Sequence, residues 1–216
     1  MNRLGISDVD ELKKIFKKYL NISLKNLIEI EGVSTHFASK KQLKRQVDIF
    51  KNFIRNIPSL INPVIHFGGG LGENVAKNFP NSMLRVGLNL YTRPKKIFKL
   101  KSKIIKIFTL KSGEFLGYNC AYKASKDVRV GIVPLGYADG INRKLSGSKI
   151  LIKGRNYSII GNICMDMFFV EIDEKINTYD EVEIFNKLEI SARQCKTIPY
   201  EILTSVNKDR LKVEKL

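Results

Sequence analysis

The sequence predicts an α/β half followed by an all-β half. Residues 1–95 alternate helical periodicity with short strand-like runs, the pattern of βα units. Residues 96–216 carry one Ile-, Val- and Phe-rich run after another, parted by turn residues, with no strong helical pattern between 96 and 185. The length of 216 residues allows one or two domains with a sizeable buried core.

In the first half, Ser7 and Asp8 can cap a helix whose apolar positions Val9, Leu12, Ile15, Phe16, Tyr19 and Leu20 recur every three or four residues. Ser7 with Asp10 resembles a capping box. Glu31-Gly32 leads into a strand over Val33 to Phe37. A second helix follows through Leu43, Val47, Phe50 and Ile54, closed by Pro58. Pro63 to Phe67 is the next strand, running into the glycine turn Gly68-Gly69-Gly70-Leu71-Gly72 and a short helix to about Asn78. Leu84 to Leu90 reads as a third strand. Such alternation implies a parallel sheet or barrel, and three units are too few for a complete (β/α)8 barrel of about 250 residues.

The second half places strands near Lys103 to Thr109, Val128 to Val133, Lys149 to Ile152, Tyr157 to Ile160, Met167 to Ile172 and Glu181 to Phe185. Lys153-Gly154-Arg155-Asn156 reads as a hairpin turn. The boundary falls near Tyr91 to Lys96, giving domains of 1–95 and 96–216.

With 44% hydrophobic and 27% charged residues the chain belongs to the globular class rather than the collagenous, low-complexity or disordered ones. No apolar run approaches membrane-span length and no secretory signal pattern opens the sequence, so a cytoplasmic protein without a membrane partner is expected. Three cysteines without a Cys-x-x-Cys pair indicate reduced thiols rather than disulfides or a zinc site. The net charge of +17 would suit an anionic partner, but the 28 Lys, 10 Arg and 27 Ile fit a compositional drift equally well. In the most basic stretch, Arg93 to Lys111, apolar residues interleave as on strands with one solvated face. A nucleic-acid partner is therefore not expected.

At the ends of barrel strands, side chains point into the catalytic mouth. His36, His66 and Arg85 occupy such positions, and Arg3 could face the same mouth. Two histidines without a nearby carboxylate make a poor metal site, so no metal is expected. The Gly68 to Gly72 turn lets backbone N–H groups approach a phosphate, with the helix beginning near Leu71 adding its positive end. It fails as a dinucleotide fingerprint, since Asn74-Val75 stands where a third glycine should fall. In the β half, Gly117-Tyr118, Leu135-Gly136-Tyr137-Ala138-Asp139-Gly140 and Ile163-Cys164-Met165-Asp166 are compact clusters that chemistry alone does not assign.

Taken in order, Met1 to Gly5, Thr35-His36-Phe37-Ala38, Leu84 to Leu88, Gly117-Tyr118, Pro134 to Gly140 and Ile163 to Asp166 resemble alanine racemase, a pyridoxal-phosphate (PLP) enzyme. The resemblance implies a partial (β/α)8 TIM-type barrel followed by a C-terminal β-barrel-like domain. It implies Tyr118 as the base exchanging the substrate Cα proton, His36 as its hydrogen-bond neighbour, and Arg85 against the cofactor's pyridine nitrogen. Arg3 would contact cofactor and substrate, Gly70, Gly87 and Leu88 would lie on the cofactor, Met165 beside the substrate carboxylate, and Tyr137 would narrow the entrance. A free tyrosine has a pKa of about 10, so a tyrosine acting as base near neutral pH needs an electropositive setting.

A dimer is implied, since Tyr118 and Met165 act on the partner subunit's cofactor in the family. Three departures accompany the resemblance. The early Lys-Ala-Asn-Ala-Tyr-Gly-type motif with the Schiff-base lysine is absent from the sequence, Gly69-Gly70 replaces an Asn-Ser pair, and Asn162 replaces an arginine. The expectation is a fragment inactive without a complementing N-terminal half. The alternatives are a noncatalytic remnant of the family or a basic nucleic-acid-binding protein.

Overall fold

The computed structural model describes residues 5–21, 27, 29–92, 98–185 and 187–214. The chain divides into two compact units, Met1–Leu90 and Tyr91–Leu216. The 95/96 division expected from the sequence falls within residues 93–97, outside those described, as does Arg3.

The N-terminal unit is built from α1 (Val9–Tyr19), β1 (Gly32–His36), α2 (Leu43–Arg55), β2 (Val64–Gly68), the single turn α3 (Gly72–Val75), β3 (Met83–Arg85) and α4 (Leu88–Thr92). Asp8 caps α1 by accepting from Glu11 N at 2.8 Å, while the Glu11 carboxylate accepts from Ser7 N at 2.8 Å. The cap is thus Asp8, with Glu11 reaching back to Ser7, in place of the Ser7–Asp10 box predicted, because the helix begins at Val9. Leu12 and Phe16 bury its apolar face; Ile15, predicted on the same stripe, is 42% exposed.

The three strands are parallel in the order β1-β2-β3, with Ser34 opposite His66 and His66 opposite Met83. Alternation of side chains sends Val33, Ile65, Phe67 and Leu84 to one face. There they meet Val47 and Phe50 of α2 together with Phe37, Val75 and Phe79 in one core cluster. Phe37, Phe67 and Phe79 form its centre, with ring centroids 5.3–6.1 Å apart. The other face carries Ser34, His36, Val64, His66, Met83 and Arg85.

The predicted third strand ends early. Only Met83 to Arg85 pairs with β2, and Leu88 to Leu90 is helical, with Leu90 N donating to Gly87 O at 3.0 Å. The alternating leucines read as a strand, but the chain turns at Gly87 and leaves the sheet. The helix expected after the glycine turn ends at Asn78 as predicted, but only its first turn is α-helical. That turn has four residues, Gly72–Val75, followed by a 3-10 turn to Asn78, so it carries little of the dipole invoked for phosphate.

The C-terminal unit contains β4 (Lys101–Lys103), β5 (Lys106–Leu110), β6 (Phe115–Leu116), β7 (Tyr122–Lys123), β8 (Val128–Val133), β9 (Lys149–Ile152), β10 (Arg155–Ile160), β11 (Phe168–Glu171), β12 (Glu181–Glu183), α5 (Leu188–Gln194) and α6 (Pro199–Ser205). Seven strands form one sheet in the order β4-β12-β9-β10-β11-β8-β5, and β6 pairs with β7. β4 and β5 lie at opposite ends of that order, yet only Ile104 and Ile105 separate them. Ile104 N donates to Asp180 O and Ile105 N to Ile132 O, so the sheet rolls back on itself.

Ile104 is fully buried, and Gly131 makes room for it: a Cβ there would stand 3.0 Å from Ile104 Cδ1. Ile150, Ile152, Ile159, Phe168, Val170, Val182 and Phe185 fill the interior. The hairpin between β9 and β10 turns on two residues, Lys153 and Gly154, both with positive φ (49° and 74°). Arg155 and Asn156, expected in the turn, are already paired with β9. The two closing helices had no counterpart in the sequence reading.

Candidate functional site

In the N-terminal unit, β1, β2 and β3 deliver His36, His66 and Arg85 to one sheet face. Arg85, the last residue of β3, reaches across β2: its Nη1 donates to His66 Nδ1 and its Nη2 to the Thr35 carbonyl of β1 at 3.0 Å. His36 stands beside them, since a Cβ on Gly68 would lie 3.1 Å from Arg85 Nη2 and 3.3 Å from His36 Nδ1. Gly68 therefore lets two side chains from neighbouring strands close over the middle one.

Burial and the Arg85 charge both push the His66 pKa below its ordinary 6.5. A neutral His66 accepting at Nδ1 carries its proton on Nε2, and Arg85 keeps a full positive charge with two acceptors fixed. His66 is the residue whose part the sequence reading left undefined; its spacing from Arg85 gave no sign of a hydrogen bond.

The neighbouring turn separates the roles of its glycines. Gly69 has φ +99° and no room for a side chain, which would sit 2.4 Å from Phe37 O. Gly70 is exposed, and a Cβ there would meet nothing within 4 Å. Glu73 accepts from Asn89 Nδ2 at 2.7 Å, tying this turn to the segment carrying Gly87 and Leu88.

In the C-terminal unit, Tyr118 sits on a turn with positive φ at Gly117 (75°), Asn119 (60°) and Cys120 (51°). Its side chain is 72% exposed and borders a cleft of about 390 Å³ with Gly117, Cys164, Asp166, Met167 and Phe169. Asn162 Nδ2 donates to the Tyr118 carbonyl at 3.2 Å, so the residue that departs from the family's arginine steadies the tyrosine turn. Burial, with a smaller contribution from Asp166, raises the Cys164 thiol pKa and keeps it protonated. Tyr137 and Met165 lie on adjoining backbones: Tyr137 N donates to Cys164 O at 3.0 Å and Ala138 N to Met165 O at 2.9 Å.

The two units thus hold two groups. His36 and Arg85 come together with His66 and the glycine turn in the first, and Tyr118, Tyr137 and Met165 gather at one end of the second. Among the described residues no three of His, Cys, Asp and Glu converge as metal ligands, and no helix is long and apolar enough to cross a membrane.

A parallel βα sheet with charged and imidazole groups at its strand ends, followed by a rolled β sheet presenting a tyrosine, defines the class: part of a (β/α)8 barrel joined to a β domain, the fold class read from the sequence. The family sequence models "Alanine racemase, N-terminal domain" and "Alanine racemase, C-terminal domain" match residues 1–94 and 97–214. The chain belongs to the alanine racemase family.

Alanine racemase 1 of Bacillus subtilis (strain 168) is 31% identical over 233 residues, covering 96% of this chain and 59% of the relative. An alanine racemase of Staphylococcus epidermidis is 28% identical over 232 residues with the same coverage. The chain therefore spans about three-fifths of the length of these relatives. Among solved structures, alanine racemase from E. faecalis superposes with a TM-score of 0.85 at 25% identity, covering 96% of this chain and 61% of that one. The Bartonella henselae alanine racemase with covalently bound pyridoxal phosphate gives 0.84 at 26% identity, covering 100% and 64%.

Proposed function

We propose that this chain supplies two parts of an alanine racemase site, a PLP-dependent centre that interconverts L- and D-alanine and furnishes D-alanine for peptidoglycan in the cytoplasm. The observation that carries this reading is the strand-end cluster: a charged Arg85 held between His66 Nδ1 and the Thr35 carbonyl, with His36 across Gly68.

These residues fit pyridoxal phosphate. A guanidinium fixed by two protein acceptors offers the pyridine nitrogen a cation that does not give up its proton. The open backbone at Gly70 leaves room for the phosphate, and Gly87 and Leu88 lie on the segment that Asn89 ties to this turn through Glu73. Bound there, the cofactor supplies an electron sink for the charge released when the substrate Cα proton leaves. Facing the ring nitrogen, Arg85 would leave it unprotonated and so weaken that sink, which would favour return of the proton over further chemistry.

Tyr118 removes or returns the Cα proton on one face. Met165 lies beside the substrate carboxylate, Tyr137 narrows the entrance, and Arg3 contacts cofactor and substrate. The assembly is a homodimer in which Tyr118 and Met165 serve the partner's cofactor. The 216 residues contain no Lys-Ala-Asn-Ala-Tyr-Gly-type motif, so the anchoring amine and the second base come from outside them.

Absorbance with added PLP, borohydride reduction and peptide mapping test the reading. The expected outcome is no specific lysine adduct on these residues alone, and L-to-D conversion once a lysine-bearing partner half is supplied. A specific adduct on one of the chain's own lysines, with turnover, would overturn the dependence on that half. Unchanged PLP affinity of Arg85→Ala in the assembled protein would overturn the Arg85 role.

A further inference from the structure

Among the described residues, Asp139 is the buried charged residue of the chain, 5% exposed. Its Oδ2 accepts from Gly136 N at 2.8 Å, and its Oδ1 accepts from Arg210 Nε at 2.8 Å. One oxygen therefore holds the backbone amide just before Tyr137, and the other faces a cation that lies 71 residues further along the chain.

Arg210 is not the only group reaching back. Asn207 N donates to Asp139 O at 3.2 Å, Asn207 Nδ2 to Ala138 O at 3.3 Å, and Ser205 Oγ to Gly140 O at 3.1 Å. The approach is close enough that a Cβ on Gly140 (φ +96°) would stand 2.2 Å from Ser205 O. On its other side the turn rests on residues 164–166. There Tyr137 and Ala138 donate to Cys164 and Met165, and a Cβ on Gly136 would stand 2.2 Å from Met165 O.

The Tyr137 side chain is 45% exposed and that of Met165 57%, so packing does little to orient either. Their placement is set by backbone bonds, one of which Asp139 supplies at the Gly136 N–H while Arg210 holds its other oxygen. A buried carboxylate that loses its cation keeps only the Gly136 N–H, and it gains by turning toward water and releasing that amide.

We propose that residues Ser205–Arg210 form a strap in which Arg210, through Asp139, is a positioning residue for the Tyr137–Met165 rim and so governs how tightly a small amino-acid substrate is held. The substrate half of this inference rests on the alanine racemase reading of Tyr137 and Met165.

Hydrogen–deuterium exchange on the full chain tests the strap without any turnover. Arg210→Ala is expected to speed exchange of the Tyr137 and Ala138 amides by about tenfold while Val130 and Val170 in the sheet stay within about twofold. Arg210→Lys, which keeps a cation for Asp139, should recover part of the protection. Unchanged exchange at 137–138 would overturn the proposal, as would equal loosening of turn and sheet, or a lysine variant no better than alanine.

In the protein assembled with a lysine-bearing half, Arg210→Ala should raise KM for alanine about fivefold and leave kcat within about twofold. A fall in kcat at constant KM would overturn the substrate role. Absence of turnover in the unsubstituted assembly would overturn the racemase reading and the substrate role with it, whereas the exchange result separately decides the strap.

Discussion

The two units treat the ends of their sheets in opposite ways. In the C-terminal unit the first and last strands of a seven-stranded order are consecutive in the chain, and Ile104 and Ile105 carry the backbone from one edge to the other. Rolling the sheet in this way encloses a core of Ile, Val and Phe side chains and leaves little unpaired edge. In the N-terminal unit, among the described residues, β1 and β3 each pair on one side only, and one sheet face is open, with Val64 46% and Met83 56% exposed. Parallel sheets are stable when both faces are covered. The open face is also the one that carries His36, His66 and Arg85, so the candidate site and the exposed sheet face occupy the same place.

This contrast predicts that urea unfolds the N-terminal unit first. Phe67 and Phe168 are both fully buried, one in each core. Phe67→Ala should cost about 3–5 kcal/mol and abolish the first transition while leaving the second in place; Phe168→Ala should do the reverse at similar cost. Amide exchange or circular dichroism against urea would show it. A single transition shifted alike by either substitution would break the comparison.

A smaller effect sharpens it within one turn of the N-terminal unit. Gly69→Ala forces a side chain into positive φ and against Phe37 O, and should destabilise by about 2–3 kcal/mol. Gly70→Ala meets open space and should change stability by no more than about 0.5 kcal/mol. Equal midpoints for the two variants would show that the turn is not held against β1.

Much of this was legible in the sequence because it is local. The 3.6-residue periodicity of Leu43, Val47, Phe50 and Ile54 marks α2 to within a residue, and the apolar runs 128–133 and 149–152 coincide with β8 and β9. The failures are equally physical. Leu88 and Leu90 alternate as in a strand, yet the register of β3 against β2 ends at Arg85. The candidate site residues are legible one by one, but their bonds are not. Arg85 with His66, Arg85 with Thr35, and Asp139 with Arg210 join positions 19, 50 and 71 residues apart, separations at which periodicity carries no information. Asn162 reads as a departure from a pattern, and only the fold reveals that it bonds the Tyr118 carbonyl.

The weakest expected effect bears on why the open face is tolerated at all. His66 is only partly buried, yet it must stay neutral to accept from Arg85, and its pKa lies below the ordinary 6.5 through burial and then the Arg85 charge. The unfolded chain therefore binds a proton more readily than the folded one. The stabilising contribution is complete above pH 6.5 and is lost as pH falls through the folded pKa beneath it. Asp8, Asp127 and Asp180 have pKa values lowered from 3.8, so their losses come at more acid pH. Between pH 7.5 and 5 the first urea transition should move to lower denaturant, and the second should hold still. His66→Asn keeps an acceptor near Nδ1 but cannot be protonated, and should flatten the dependence. An equal slope in this variant would mean that the imidazole is not what couples Arg85 to pH, and that the open sheet face owes its order to contacts other than this bond.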